Sequence, residues 1–277
     1  MGCKKRPEML RNEGSRLKRV IVSSPGEAFL GVTNLEAHNF SQKPDGRLAT
    51  DQHDLLKTTI TAFGAQVVEV PELSGHPNSV FTRDTALSTP KGFVRLRLGL
   101  PTREGEDRWM ADALMALGEP VAGEIEAPGT VEGGDVVLAG SVAFVGESIR
   151  TNRSGIDQLT AVLVPMGYEI RAVPLPHSIL HLDKVLLTIG PKTLLFCPEF
   201  INEDDLDGFE AIAIPYGSTS TANVINLGDN DLIVNRSNRG VIERLAGTAY
   251  VVHDLDLSEY AKGTGGPNCL IMPLDRG

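Results

Sequence analysis

One cysteine, one histidine and a set of carboxylates, each placed where an apolar run begins, carry the chemistry open to this sequence. Asp84 follows Phe81-Thr82-Arg83, and Glu132 and Asp135 flank Gly133-Gly134 ahead of VVLA. His181 and Asp183 lead into VLLTIG, and Cys269 ends Gly265-Gly266-Pro267-Asn268 before LIMPL. An ionised thiol is a nucleophile, an imidazole moves protons near neutral pH, and carboxylates hold a cation. Taken singly, a cysteine is usually a small buried hydrophobe, a histidine structural, and a carboxylate group a solvated face. Asp84 and Asp183, however, head apolar strands, where an unpaired charge costs on the order of several kcal/mol, so a cation should pair with them. No His/Cys spacing suits a metal ion, and none is expected. A planar guanidinium, with its forked N–H donors, fits carboxylates best. The Gly-rich run Gly263 to Asn268, able to approach a ligand closely and to move as a lid, marks Cys269. Cys197, in LLFCPEF, reads as core and Cys3 as tail. His38, His53, His76, His177 and His253 lack a setting like that of His181.

Residues so far apart meet only if the fold gathers them, and a repeat in the chain does so. Hairpin-like segments start at Arg83, Gly133, Leu182 and Ala222, and a fifth half begins at Asn268, where the run from Arg19 can close a ring. The polar residues opening them, Asp84, Asp135, Asp183, Asn223 and Cys269, are spaced by 51, 48, 40 and 46 residues. Such periods belong to propellers and repeat arrays. Helical patterns follow the hairpins at 51–64, at 106–118, at 153–167 with Ser154 as cap, and at 236–247; each leads into another strand. The stretch NEDDLDGF is barely helical. Units that cannot bury their apolar faces alone must pack about a common axis. The expectation is one closed α/β domain over residues 1–277, with 1–15 a frayed tail and the polar residues facing the axis.

Composition sets the bounds. The chain has 277 residues, 41% hydrophobic and 22% charged, which excludes disorder, collagen and coiled coil. A net charge of −10 without a basic tract argues against nucleic-acid partners. No apolar run approaches a membrane span, and the polar N-terminus lacks a signal peptide's core. Met1-Gly2-Cys3 resembles an acylation start, but Arg6 stands where that signal wants Ser or Thr. Three scattered cysteines make no disulfide framework and suit a reducing cytoplasm. No cofactor is implied, and a homodimer is allowed without being required.

The motifs Asn78-Ser-Val-Phe81-Thr-Arg-Asp84, Val131-Glu132-Gly-Gly-Asp135, Gly146-Glu-Ser-Ile-Arg150-Thr-Asn152, Leu180-His181-Leu-Asp183 and Gly265-Gly-Pro-Asn-Cys269 occur in this order. Together they resemble the guanidino-group-modifying superfamily of arginine deiminases, dimethylarginine dimethylaminohydrolases and amidinotransferases, from about residue 16 to the C-terminus. The resemblance implies a five-bladed α/β propeller (pentein) of repeated ββαβ units. It implies Cys269 as nucleophile, His181 as general acid and base, and Glu132 holding His181 or a substrate nitrogen. Asp84 and Asp183 would grip the guanidinium, Asn78 and Phe81 would touch the substrate, and Arg97 and Arg150 would bind its carboxylate. The implied reaction is hydrolysis of a guanidino C–N bond of arginine or an Nω-methylated arginine, through a thiouronium-type adduct, to citrulline and ammonia or a methylamine. The chain has the length of the dimethylarginine hydrolases, whereas Asn78 and the FTRD and HLD motifs look like arginine deiminase. Thr264 stands where deiminases carry a further Arg. The exact substrate stays open. Amidino transfer to an amine would use the same residues, and a non-catalytic propeller of the ribosome anti-association type would have no need of the full Cys, His and carboxylate set.

Overall fold

In a computed structural model, which describes residues 12–277, the chain forms five three-stranded sheets. β1 (Leu17–Ser23) runs parallel to β2 (Gln66–Val70). Three sheets then repeat one plan, an antiparallel hairpin whose second strand pairs in parallel with a third. They are β3 (Ala86–Thr89), β4 (Gly92–Arg95) and β5 (Val121–Glu124); β6 (Val136–Ala139), β7 (Val142–Glu147) and β8 (Glu169–Pro174); and β9 (Leu186–Gly190), β10 (Thr193–Phe196) and β11 (Glu210–Ala213). β12 (Ile225–Gly228), β13 (Asp231–Asn235) and β14 (Val251–Leu255) make another. The last strand, β15 (Met272–Arg276), pairs antiparallel with β1, Leu17 opposite Arg276 and Ile21 opposite Met272. The C-terminus thereby completes the first blade and closes the five-bladed α/β propeller that the repeat predicts.

Burial shows which strands line the axis. β3, β6, β9, β12 and β15 are buried at every residue, whereas β2, β5, β8, β11 and β14 are largely half-buried or exposed. An inner strand is covered on both faces, which explains continuous apolar runs such as VVLA and LLTIG in place of alternation. At the β12–β13 turn, Asp229 and Asn230 both take positive φ (53° and 70°), a left-handed pair that these two residue types tolerate better than most.

Helices carry the chain from hairpin to outer strand: α1 (Glu27–Leu30), α2 (Gly46–Ala62), α3 (Glu106–Ala116), α4 (Arg153–Leu163) and α5 (Arg239–Leu245), with α6 (Ser258–Ala261) before the last turn. Helix starts and caps depart from the sequence reading at α2 and α4, while the weak fourth unit is as expected. α2 begins at Gly46 instead of Asp51, because the Asp45 side chain caps it by accepting from Leu48 N at 2.9 Å. α4 is capped by Asn152, not Ser154: Asn152 Oδ1 accepts from Gly155 N at 2.9 Å and from Thr130 N at 3.0 Å. The fourth unit has only a 3-10 turn, Glu203–Leu206.

The expected frayed tail at 1–15 is corrected at its described end. Residues 1–11, with Cys3 and Arg6, lie outside the described residues, but residues 12–15 are packed against the propeller. The Glu13 carboxylate is buried against Arg83 and accepts from Leu138 N at 3.0 Å, while Arg276 Nη1 donates to Ser15 O at 2.9 Å. An ion pair removed from water holds only when its remaining lone pairs and protons are bonded, and these are. No helix among the described residues is long and apolar enough to cross a membrane.

Candidate active site

Short 3-10 turns at Thr82–Asp84, Gly133–Asp135, Leu182–Lys184 and Asn268–Leu270 precede four of the inner strands, and Asn223 lies just ahead of the fifth, β12. The repeat therefore presents one polar residue per blade at the same end of the axis. Asp84, His181 and Cys269 line a narrow cleft there, with Asn78, Phe81 and Arg150 on its walls. Glu132 and Asp183, fully buried, stand behind His181 and Cys269.

Glu132 is the hub of one half. Its Oε2 lies 2.7 Å from His181 Nε2, and its Oε1 accepts from Gly99 N (3.0 Å), Leu100 N (3.3 Å) and Arg150 Nη1 (3.2 Å). Burial opposes ionisation of this carboxylate, but the His181, Arg103 and Arg150 charges and bonds outweigh it and hold its pKa far below the usual range. Burial likewise works against a charged imidazole. Asp84, the Glu132 bond and Asp135 overcome it and raise the His181 pKa to about 9, so an imidazolium stands ready at neutral pH. Asp135 supports this from behind, accepting from Leu182 N (2.9 Å) and Ser148 Oγ (2.7 Å); burial lifts its own pKa to about 7.

The other half surrounds sulfur. Cys269 Sγ receives Asn223 Nδ2 at 3.2 Å and Gly266 N at 3.4 Å, with Asp183 Oδ2 at 3.9 Å. Burial and the Asp183 charge push the thiol up to about 11, against the pull of Lys184 and of the Gly266 N–H. Asp183 Oδ2 is also bonded by Asn223 and Asn268, but its Oδ1 is buried without a hydrogen-bond partner. The 262–268 loop is tied to its surroundings by Lys184 Nζ donating to Thr264 O (2.8 Å) and Asn39 Nδ2 donating to Thr264 Oγ1 (3.1 Å).

Glycine at 134 lets the His181 ring pack against the turn that follows Glu132. A Cβ there would lie 2.8 Å from His181 Cγ and Nδ1. Gly134→Ala should therefore push the imidazole off line and lower kcat by about 100-fold, with KM changed far less, in steady-state assays of the purified variant.

One expected site residue is elsewhere. Arg97 is exposed, donates to Gly129 O at 3.2 Å, and lines a separate groove with Arg95 and Arg108. Strand geometry explains the miss: Arg97 extends the register of β4 outward, whereas the turn at Pro101–Arg103 brings Arg103 inward. Buried Arg103 lines the cleft and donates to Asp84 Oδ2 at 2.6 Å and to Glu106 Oε2 at 2.8 Å. Sequence reasoning also passed over Asn39, whose loop gave no signal, and His38, whose Nδ1 lies 3.2 Å from Asn78 Oδ1. Asp84, Glu132 and His181 have ligand atoms within 4.8 Å of one another, a spacing a metal could span. Arginines already pair with both carboxylates, so this acidic cage is built to hold guanidinium cations.

A buried thiol facing an imidazolium and carboxylates, at the axis of a five-bladed α/β propeller, defines the cysteine-dependent enzymes that act on guanidino groups. A family model described as arginine deiminase matches residues 48–213. The dimethylarginine dimethylaminohydrolase of Pseudomonas aeruginosa is 30% identical over 256 residues, covering 92% of this chain and 98% of that one. The structure of that enzyme in complex with citrulline superposes with a TM-score of 0.82 at 28% identity, over 93% and 99% of the two chains. The N-terminal domain of a cyanobacterial arginine dihydrolase, 20% identical, shares the fold with a TM-score of 0.82 over 93% and 98%. The chain belongs to the arginine deiminase family.

Proposed function

We propose that this guanidino hydrolase acts on free arginine, with unsubstituted terminal nitrogens, to give citrulline and ammonia. The observation that carries the choice is Asp183 Oδ1, a buried carboxylate oxygen without a partner beside the thiol. An unsubstituted guanidinium brings N–H donors to Asp84 and Asp183 on both terminal nitrogens. A dimethylated nitrogen brings none, and leaving a buried acceptor unbonded costs about 1–3 kcal/mol, or roughly 10- to 100-fold in binding. Arg103 and Arg150, on the cleft wall, supply the positive charge for the substrate carboxylate, the role that the family resemblance implied for Arg97 and Arg150.

In this reading the bound guanidinium lowers the Cys269 pKa from its buried value of about 11, and the thiolate adds to the guanidino carbon. The His181 imidazolium gives its proton to the departing nitrogen, which leaves as ammonia, and the carbon remains attached to sulfur as a thiouronium. Neutral His181 then takes a proton from water as the hydroxide adds. Collapse expels the thiolate and releases the ureido product and a proton. Family membership favours water as acceptor over an amine.

The test is a panel of arginine, asymmetric dimethylarginine and agmatine, followed by ureido product formation. Arginine should exceed dimethylarginine in kcat/KM by about 10-fold or more, and agmatine should suffer mainly in KM. The name of the Pseudomonas aeruginosa relative favours dimethylarginine instead, and a panel led by that substrate would overturn the assignment.

A further inference from the structure

We infer that Asn223 is a catalytic residue, whose amide N–H stabilises the Cys269 sulfur as it becomes a thiolate while fixing Asp183 for the substrate. The inference rests on Cys269 being the nucleophile. Asn223 occupies, in the fourth blade, the place that Asp84, Asp135, Asp183 and Cys269 take in the others, and it is 1% exposed.

Every polar group of its amide is committed. One Nδ2 proton goes to Asp183 Oδ2 at 2.7 Å, the other to Cys269 Sγ at 3.2 Å, and Oδ1 accepts from Asn268 N at 3.0 Å. The third bond fixes the orientation. A flipped amide would set its oxygen against a carboxylate and a sulfur, and its N–H groups against the Asn268 N–H. Sulfur therefore faces a donor, joined by Gly266 N at 3.4 Å. Donors aimed at sulfur favour the anion, whereas burial and the neighbouring carboxylate oppose it.

Asn223 thus stands between a carboxylate and the sulfur and donates to both, which lets Asp183, its Oδ2 3.9 Å from the sulfur, grip a cation beside the nucleophile. Because Asp183 Oδ2 absorbs the bonds from Asn223 and Asn268 (3.0 Å), Oδ1 remains for an N–H donor. The loop is shaped to fit: a Cβ on Gly266 would lie 2.3 Å from Asn223 Oδ1. Aspartate at 223 keeps the shape but replaces the donor with a further charge. Alanine removes donor and dipole together.

The experiment measures Cys269 alkylation by iodoacetamide in the substrate-free enzyme across pH, with the labelled peptide identified by mass spectrometry, alongside kcat and KM. Asn223→Asp and Asn223→Ala should slow alkylation near neutral pH by on the order of 10- to 100-fold, with the rising limb moved to higher pH. Both should lose more in kcat than in KM, and Asn223→Ser, retaining a short donor, should recover part of the rate. Folding is monitored by circular dichroism, and any one folded variant suffices for the pH readout. Alkylation profiles that overlay the parent's, even with activity lost, would overturn the inference and leave Asn223 a structural residue. Turnover surviving in Cys269→Ser would instead remove the nucleophile on which it rests.

Discussion

Replacing Cys269 with serine is expected to lower kcat by about 10⁵-fold while shifting the thermal midpoint by no more than about 4 °C. The contrast follows from acidity. The site raises the thiol to about 11 when empty, and a bound cation can bring that group within reach of neutral pH. An alcohol in the same surroundings starts several units higher and stays protonated. Serine is close to cysteine in size, so the packing of Leu270 and Ile271 beside it should survive. Cys197→Ser is the matched control. That thiol is buried in the core around Leu194 and Ile201, with burial pushing it up to about 12, and it has no role in the cleft. It should retain turnover and lose about 1 kcal/mol of stability. Citrulline formation and a thermal melt read the two effects, and the mass of enzyme quenched during turnover shows whether the adduct forms. A Cys269→Ser enzyme within tenfold of the parent would place the nucleophile elsewhere.

The sequence makes the architecture readable because each blade is built by the same local rules. Continuous apolar inner strands and turn residues recur in register, and the C-terminal CLIMPL run pairs with RVIVS as the ring requires. The polar residue at each strand entrance was readable for the same reason, and four of those five positions drew attention through acidic or nucleophilic chemistry. Asn223 escaped because an amide has no charge and no reactivity of its own; its importance comes from the two partners it touches. Arg103 escaped for a different reason. Three arginines lie within RLRLGLPTREGE, and which one points to the axis depends on where β4 ends and the Pro101–Arg103 turn begins. Boundaries of one or two residues are the least legible feature of a sequence. Asp45 and Asn152 as helix caps show the same limit, since Ser154 offered an equally good local signal.

Alanine at His181 is expected to lower arginine turnover by about 10³- to 10⁴-fold and to separate the two halves of the reaction. A nitrogen leaves carbon only after taking a proton, and in the parent His181 holds one up to a pH of about 9 because Asp84, Glu132 and Asp135 outweigh its burial. Parent kcat should accordingly fall as pH rises through about 9. An S-alkyl isothiourea analogue of arginine departs as a thiolate and needs no such proton. With His181→Ala, that analogue should still transfer its amidino carbon to Cys269, release one equivalent of thiol, and show no alkaline limb near 9 in this first step. The second step needs a base to draw a proton from water, so the adduct should persist and appear as a mass increment on the Cys269 peptide. Asp135 is the neighbour best matched in acidity, at about 7, but both of its oxygens are engaged, by Leu182 N and Ser148 Oγ. Full turnover of either substrate by His181→Ala would therefore mean that a further water carries the proton in place of a protein base. The closed hydrogen-bond network around Glu132 argues against that outcome.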